Sequence, residues 1–155
     1  MEPDPQPDGA AMHRRLAIDV NNSVWELLET ESPDATELLR RAYAASYHWS
    51  RAEGCTPANT ARASWLLSRC HVVLGYGDLA LHHADECAAA VAEADLRDFD
   101  LGYAHEARAR ALALLGRNGE ANVELSAARE VKVADAEDRA IFEADLASPP
   151  WFELA

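Results

Sequence analysis

Two short stretches decide how this chain is read: LGYGDLA at residues 74–80 and LLGRNGEA at residues 114–121. A shift of 41 residues lays Gly75 on Gly116, Leu74 on Leu115 and Ala80 on Ala121. The same shift pairs Arg69 with Arg110, Ser68 with Ala109, Ala84 with Leu125 and Cys87 with Ala128. Glycine ends helices because it enters the left-handed conformation without a Cβ clash, so each stretch marks a turn between two helices. Small and apolar residues recur at the positions where paired helices would touch. A helix hairpin buries its apolar stripe only against a neighbour, which is the physical logic of a helical repeat.

Outward from these turns, residues 11–148 divide into seven helical pieces, predicted at roughly 12–29, 34–52, 58–74, 78–95, 100–116 and 119–133, with a short seventh capped by Asp135. Ser32 or Asp34 is placed to cap the second helix, with Pro33 in its first turn, and the RDFD run at 97–100 supplies an aspartate cap for the fifth. The predicted organisation is one domain over 11–148, preceded by a disordered, acidic, proline-rich tail at 1–10. The segment SPPWFELA is expected to lie across the last helices, leaving 149–155 as a C-terminal tail.

Composition supports an all-α class. Of 155 residues 32 are alanine, while Val and Ile are few, so strong helix formers dominate. Arginine supplies nearly all the positive charge, with Lys132 the single lysine, a bias that reads as a high-GC bacterial coding habit. A net charge of −13 argues against nucleic-acid or anionic-membrane partners, both of which need a basic face. Cys55, Cys70 and Cys87 form no CxxC pair, and with no signal-peptide pattern or apolar run of membrane-spanning length the expected location is the cytoplasm, with reduced thiols.

The runs Ser68–Gly75–Ala80–Cys87 and Ala109–Gly116–Ala121–Ala128 resemble the tetratricopeptide pattern, with a small residue mid-helix, glycine at the turn and small residues on the second helix. The resemblance covers about 65 residues well, and residues 12–54 only as a hairpin of similar size. It departs from the family in its 41-residue spacing rather than 34, in lacking a closing proline, and in placing Trp65 one position from the usual aromatic. It implies a right-handed array of antiparallel hairpins, similar to short bacterial proteins of this type, whose first helices line a concave surface.

The stretch GDLALHHADEC at 77–87 carries metal-ligand residue types. On a helical wheel Ala80, Ala84, Cys87, Val91 and Ala94 form one buried stripe, His82 joins the solvated acids, and His83 borders the stripe. Adjacent residues point apart on a helix. That leaves the two-ligand pairs His83–Cys87 and His82–Glu86, short of the three that zinc normally requires, so the segment is read as structural, with no metal and no cofactor expected.

If first helices line the groove, Arg62, Trp65 and Arg69 on the third and Tyr103, Glu106 and Arg110 on the fifth form matching stripes. On the first helix Leu16, Val20, Val24 and Leu27 pack, while Asn21 and Trp25 occupy a second face. Paired guanidinium groups at Arg69 and Arg110 suit a carboxylate or phosphate. The ligand-binding set predicted is Trp25, Arg62, Trp65, Arg69, Tyr103, Glu106 and Arg110. Bland roles exist for each: core packing for the tryptophans, an Arg69–Glu106 salt bridge between helices, solvation for Arg62 and Arg110. No GxSxG, HExxH, Walker or dinucleotide signature occurs. The expected function is an interaction module that binds a peptide or protein partner through an anionic group. The alternative is a small all-α enzyme or small-molecule binder with the groove closed over, in which Glu106 and then His48 are the acid/base candidates. The wheel, however, places His48 toward solvent. The sequence does not set the oligomeric state.

Overall fold

The computed structural model describes residues 9–154, and the chain over that range is all α-helical. Seven helices succeed one another: α1 (Gly9–Leu28), α2 (Ala35–Ser50), α3 (Pro57–Leu74), α4 (Gly77–Glu93), α5 (Phe99–Leu114), α6 (Asn118–Glu130) and α7 (Ala136–Ala147). Gly9 and Ala10 are helical, so the disordered tail predicted over residues 1–10 does not reach them; residues 1–8 lie outside the described range.

Local chemistry sets the boundaries. Asp34 caps α2 by accepting from the Glu37 amide, and Asp135 caps α7 through the Asp138 amide. Pro33 precedes the cap instead of entering the helix. At α3, Thr56 and Asn59 form a reciprocal capping box with Pro57 in the first turn, where its missing N–H costs nothing. Gly75 and Gly116 both adopt left-handed φ, +80° and +75°, at matched positions of the 41-residue shift. The expected Asp98 cap on α5 does not form. Asp98 has φ +63°, and its carboxylate accepts instead from the Ala134 amide, which ties the α6–α7 connection to the start of α5.

Consecutive helices pair as α1–α2, α3–α4 and α5–α6, and α2–α3, α4–α5 and α3–α5 contacts join the pairs. The stripe predicted on α4 is the packing edge: Ala80, Ala84, Cys87 and Val91 are buried, as are their matches Ala121, Leu125 and Ala128 on α6. Core clusters run along the chain from Val24, Leu38 and Leu67, through Ala61, Val91 and Ala104, to Tyr103, Val133 and Phe142. Each fully buried residue of Val or Leu size contributes about 1.5–3 kcal/mol. α7 departs from the hairpin pattern by packing on α5. Gly102 permits this approach, because a Cβ there would stand 2.7 Å from the Phe142 ring. Leu154 of the tail packs against Leu112, Ala113 and Ala121, so the tail does lie across the last helices.

Candidate ligand-binding site

Side chains from α1, α3, α5 and α7 converge on a cavity of about 360 Å³, which Cys87 of α4 also lines. Trp25 of α1 stacks on Trp65 of α3 with ring centroids 5.8 Å apart and planes 28° apart. Tyr103 of α5 meets Trp65 edge-on at 5.4 Å, and Phe99 lies 4.6 Å from Tyr103. Offset stacks and edge contacts of this kind are the favoured arrangements of aromatic quadrupoles. Ile141 and Asp145 of α7 form one wall. Trp25 and Ile141 stay 41% and 50% exposed, so the cavity is open to solvent.

Polar groups at the cavity are engaged with one another. Arg62 donates to both oxygens of Asp100, at 2.9 and 3.2 Å, a bidentate pair that bridges α3 and α5 at the rim. The Tyr103 hydroxyl donates to the Asp145 carboxylate. Burial and that carboxylate hold the phenol well above its ordinary range. Burial pushes the Cys87 thiol up to about 12, which keeps it protonated and unreactive at neutral pH.

Behind the aromatic wall lies a buried ionic knot. Trp65 Nε1 donates to Glu106 Oε2 at 2.7 Å, joining matched positions on α3 and α5, and Arg110 Nε donates to the other Glu106 oxygen. Arg110 also reaches the carbonyls of Ser148 (3.0 Å), Pro150 (2.9 Å) and Asp145 (2.6 Å), with its guanidinium 4.0 Å from the centre of the Trp151 ring. Both Glu106 and Arg110 are 2% exposed.

The predicted ligand set therefore divides. Trp25, Arg62, Trp65 and Tyr103 line the cavity, while Arg69, Glu106 and Arg110 lie behind it, along a crevice with no room for a water molecule. Arg69 and Arg110 do not open a shared anion site. All three nitrogens of Arg110 are bonded to Glu106 and the chain end. Arg69 Nη1 is buried without a partner, and its burial, with Arg110 nearby, makes the charged form less favourable. Nor does Arg69 bridge Glu106; Arg110, one turn along the same helix, takes that place. His48 meets His13 of α1, with Nδ1 atoms 2.8 Å apart, and is not among the residues lining the cavity. Lining residues the sequence did not mark include Phe99 and Asp100 at the start of α5, and Ile141 in the middle and Asp145 in the last turn of α7. Phe99 and Asp100 sit in the RDFD run that reads as a cap, and α7 has no counterpart in the repeat.

The histidine doublet also departs from the wheel argument. His82 is exposed and His83 buried, as their faces require, yet His82 Nε2 and His83 Nδ1 both reach Glu86 Oε1, at 2.9 and 2.8 Å. Adjacent backbone directions diverge, but two imidazoles are long enough to bend back onto a carboxylate one turn later. Burial holds the His83 pKa below its ordinary value in spite of Glu86, and burial does the same for His71.

No protein-family model matches the chain, and comparison with curated protein sequences finds none similar to it. Among the described residues no helix is long and apolar enough to cross a membrane.

Proposed function

We propose that this chain is a tetratricopeptide-like binding module whose cavity receives an apolar or aromatic side chain of a peptide or protein partner, with an anionic group of the partner close to Arg62. The supporting observation is the cavity itself: Trp25, Trp65, Phe99 and Tyr103, contributed by three non-consecutive helices, line a cavity of about 360 Å³ that stays open to solvent. Small-molecule sites enclose about 70–90% of their ligand, whereas an anchor side chain remains attached to a chain outside. The open side favours the anchor. Arg62, whose side chain is 58% exposed, is the cavity's accessible cation, and an incoming carboxylate would compete with Asp100 for it.

One observation supports the second reading, a small-molecule binder: α7 walls the cavity with Ile141 and Asp145, and the volume falls at the small end of ligand pockets. An acid/base enzyme is less well supported, because both Glu106 oxygens are occupied and the Cys87 thiol stays protonated.

A displayed library of random peptides, selected against the purified chain, tests the proposal. Selected peptides should share an apolar or aromatic anchor and quench Trp25 and Trp65 fluorescence on binding. Trp25→Ala should weaken them at least about tenfold, which is about 1.4 kcal/mol, with the helical circular dichroism spectrum intact. Arg62→Ala should cost less, as trimming a rim charge does. If no peptide is enriched but metabolites raise the thermal midpoint in a Trp25-dependent way, the small-molecule reading replaces it.

A further inference from the structure

We propose that His82, His83 and Glu86, where α4 meets solvent beside Tyr43 of α2, form a binding site for a divalent transition-metal cation, with zinc the best match. One ligand atom from each residue lies within 4.8 Å of the other two. Glu86 Oε1 stands 2.9 Å from His82 Nε2 and 2.8 Å from His83 Nδ1. Tetrahedral zinc with bonds of about 2.0–2.1 Å separates its ligands by roughly 3.3 Å, so Glu86 Oε1 must draw back from each histidine nitrogen by about half an ångström. Two of the three can do so freely, because the His82 and Glu86 side chains are 65% and 48% exposed. Two nitrogens and one carboxylate oxygen are a donor set that zinc favours, and three protein ligands leave its fourth position to water.

A second observation is independent of the trio. A metal on His83 Nδ1 obliges Nε2 to carry the proton, and Nε2 lies 2.8 Å from the Tyr43 hydroxyl of α2, which can accept it. An outer hydrogen bond of this kind fixes the tautomer and aims the ring of a ligating histidine. The ring is also held by neighbours, Tyr43 at 5.5 Å and the buried His71 at 5.2 Å. One ligand is thus rigid and two are mobile at the surface, which provides both aim and an entry path. None of the three lines the aromatic cavity, so this site is independent of the peptide-binding proposal.

The test uses the full chain, stripped with a chelator, titrated with zinc by calorimetry and with cobalt by visible absorption. One equivalent should bind, with cobalt giving the intense bands of a tetrahedral centre. His82→Ala and Glu86→Gln, both at exposed positions that leave the fold intact, should each weaken zinc at least about tenfold. Tyr43→Phe should weaken it by about tenfold, as loss of an outer-shell partner does. His13→Ala, which removes one member of the separate His13–His48 pair, should change nothing. Absence of saturable binding, binding that His82→Ala and Glu86→Gln leave unchanged, or binding lost in His13→Ala would each overturn the proposal.

Discussion

Arg69 on α3 and Arg110 on α5 are matched by the 41-residue shift, yet they meet opposite surroundings. Arg110 bonds Glu106 and three backbone carbonyls and lies against Trp151, while Arg69 leaves a buried nitrogen unpartnered. The cause is the next element of the chain in each case. After α3 and α4 comes another hairpin, whose residues face Arg69 with a second cation, Arg110, nearby. After α5 and α6 comes α7, whose last turn and adjoining tail residues turn carbonyls toward Arg110, that of Asp145 shared with the Ser148 amide and those of Ser148 and Pro150 beyond the helix. The 41-residue match places the two side chains on corresponding helix faces, and the elements packed against each decide what it does there.

The largest effect should come from breaking the satisfied member. Arg110→Ala strands the buried Glu106 carboxylate with Trp65 alone and frees the tail, so urea unfolding should show a loss of about 3–5 kcal/mol. A loss under about 1 kcal/mol would mean that the tail does not depend on this arginine. Gly102→Ala tests the same end from its other contact. The added Cβ would stand 2.7 Å from the buried Phe142 ring, overpacking of this kind costs about 1–3 kcal/mol, and alanine's better helix propensity returns up to about 1 kcal/mol. A net loss of about 1–2 kcal/mol is expected, with faster hydrogen exchange along α7. Unchanged exchange there would show that α7 tolerates displacement.

The contrast also explains what was legible in the sequence. Turn glycines, alanine stripes and the Asp34 and Asp135 caps are local signals, and they located seven helices and the packing edge of α4. Arg62, Trp65 and Tyr103 are legible because the faces of the third and fifth helices match at a 41-residue shift, and Trp25 because the first helix carries a second face opposite its packing stripe. The fates of Arg69, Glu106 and Arg110 were not legible, since they depend on α7 and a tail that belong to no repeat. Asp145 and Ile141 were missed for the same reason. The His82–Glu86–His83 convergence escaped because a helical wheel records where Cβ points and not how far an imidazole reaches.

Acid provides a milder perturbation, aimed at the α2–α3–α4 junction. His71 and His83 stack there with Tyr43 beside both, and Glu86 and His82 approach His83 from its own helix. Both histidines have pKa values below the ordinary 6.5 because burial disfavours the imidazolium. Above about pH 6.5 neither the folded nor the unfolded chain protonates them, and their contribution to stability is complete. As pH falls below that value the unfolded chain takes up protons that the folded chain refuses, so stability drops until the pH passes the depressed native values. Thermal midpoints measured downward from pH 7.5 should fall in this window, and His71→Phe, which keeps a ring in the stack, should flatten the slope. An equal slope in the variant would assign the acid sensitivity to the carboxylates instead.

The smallest effect sharpens the comparison most. Arg69→Met keeps the apolar stem of the side chain and deletes a guanidinium that has one buried donor unpaired and Arg110 as a neighbouring charge. An unsatisfied buried donor already carries a desolvation cost of about 1–3 kcal/mol, and removing the group removes that cost. Lost electrostatic attraction to Glu106 and Asp145 opposes the gain. The two nearly cancel, so stability should stay the same or rise by about 1 kcal/mol, against the several lost in Arg110→Ala. Urea unfolding of both variants under one buffer gives the difference directly. A loss above about 2 kcal/mol in Arg69→Met would show that Arg69 is held by a strong partner after all, and the two matched positions would then play the same role.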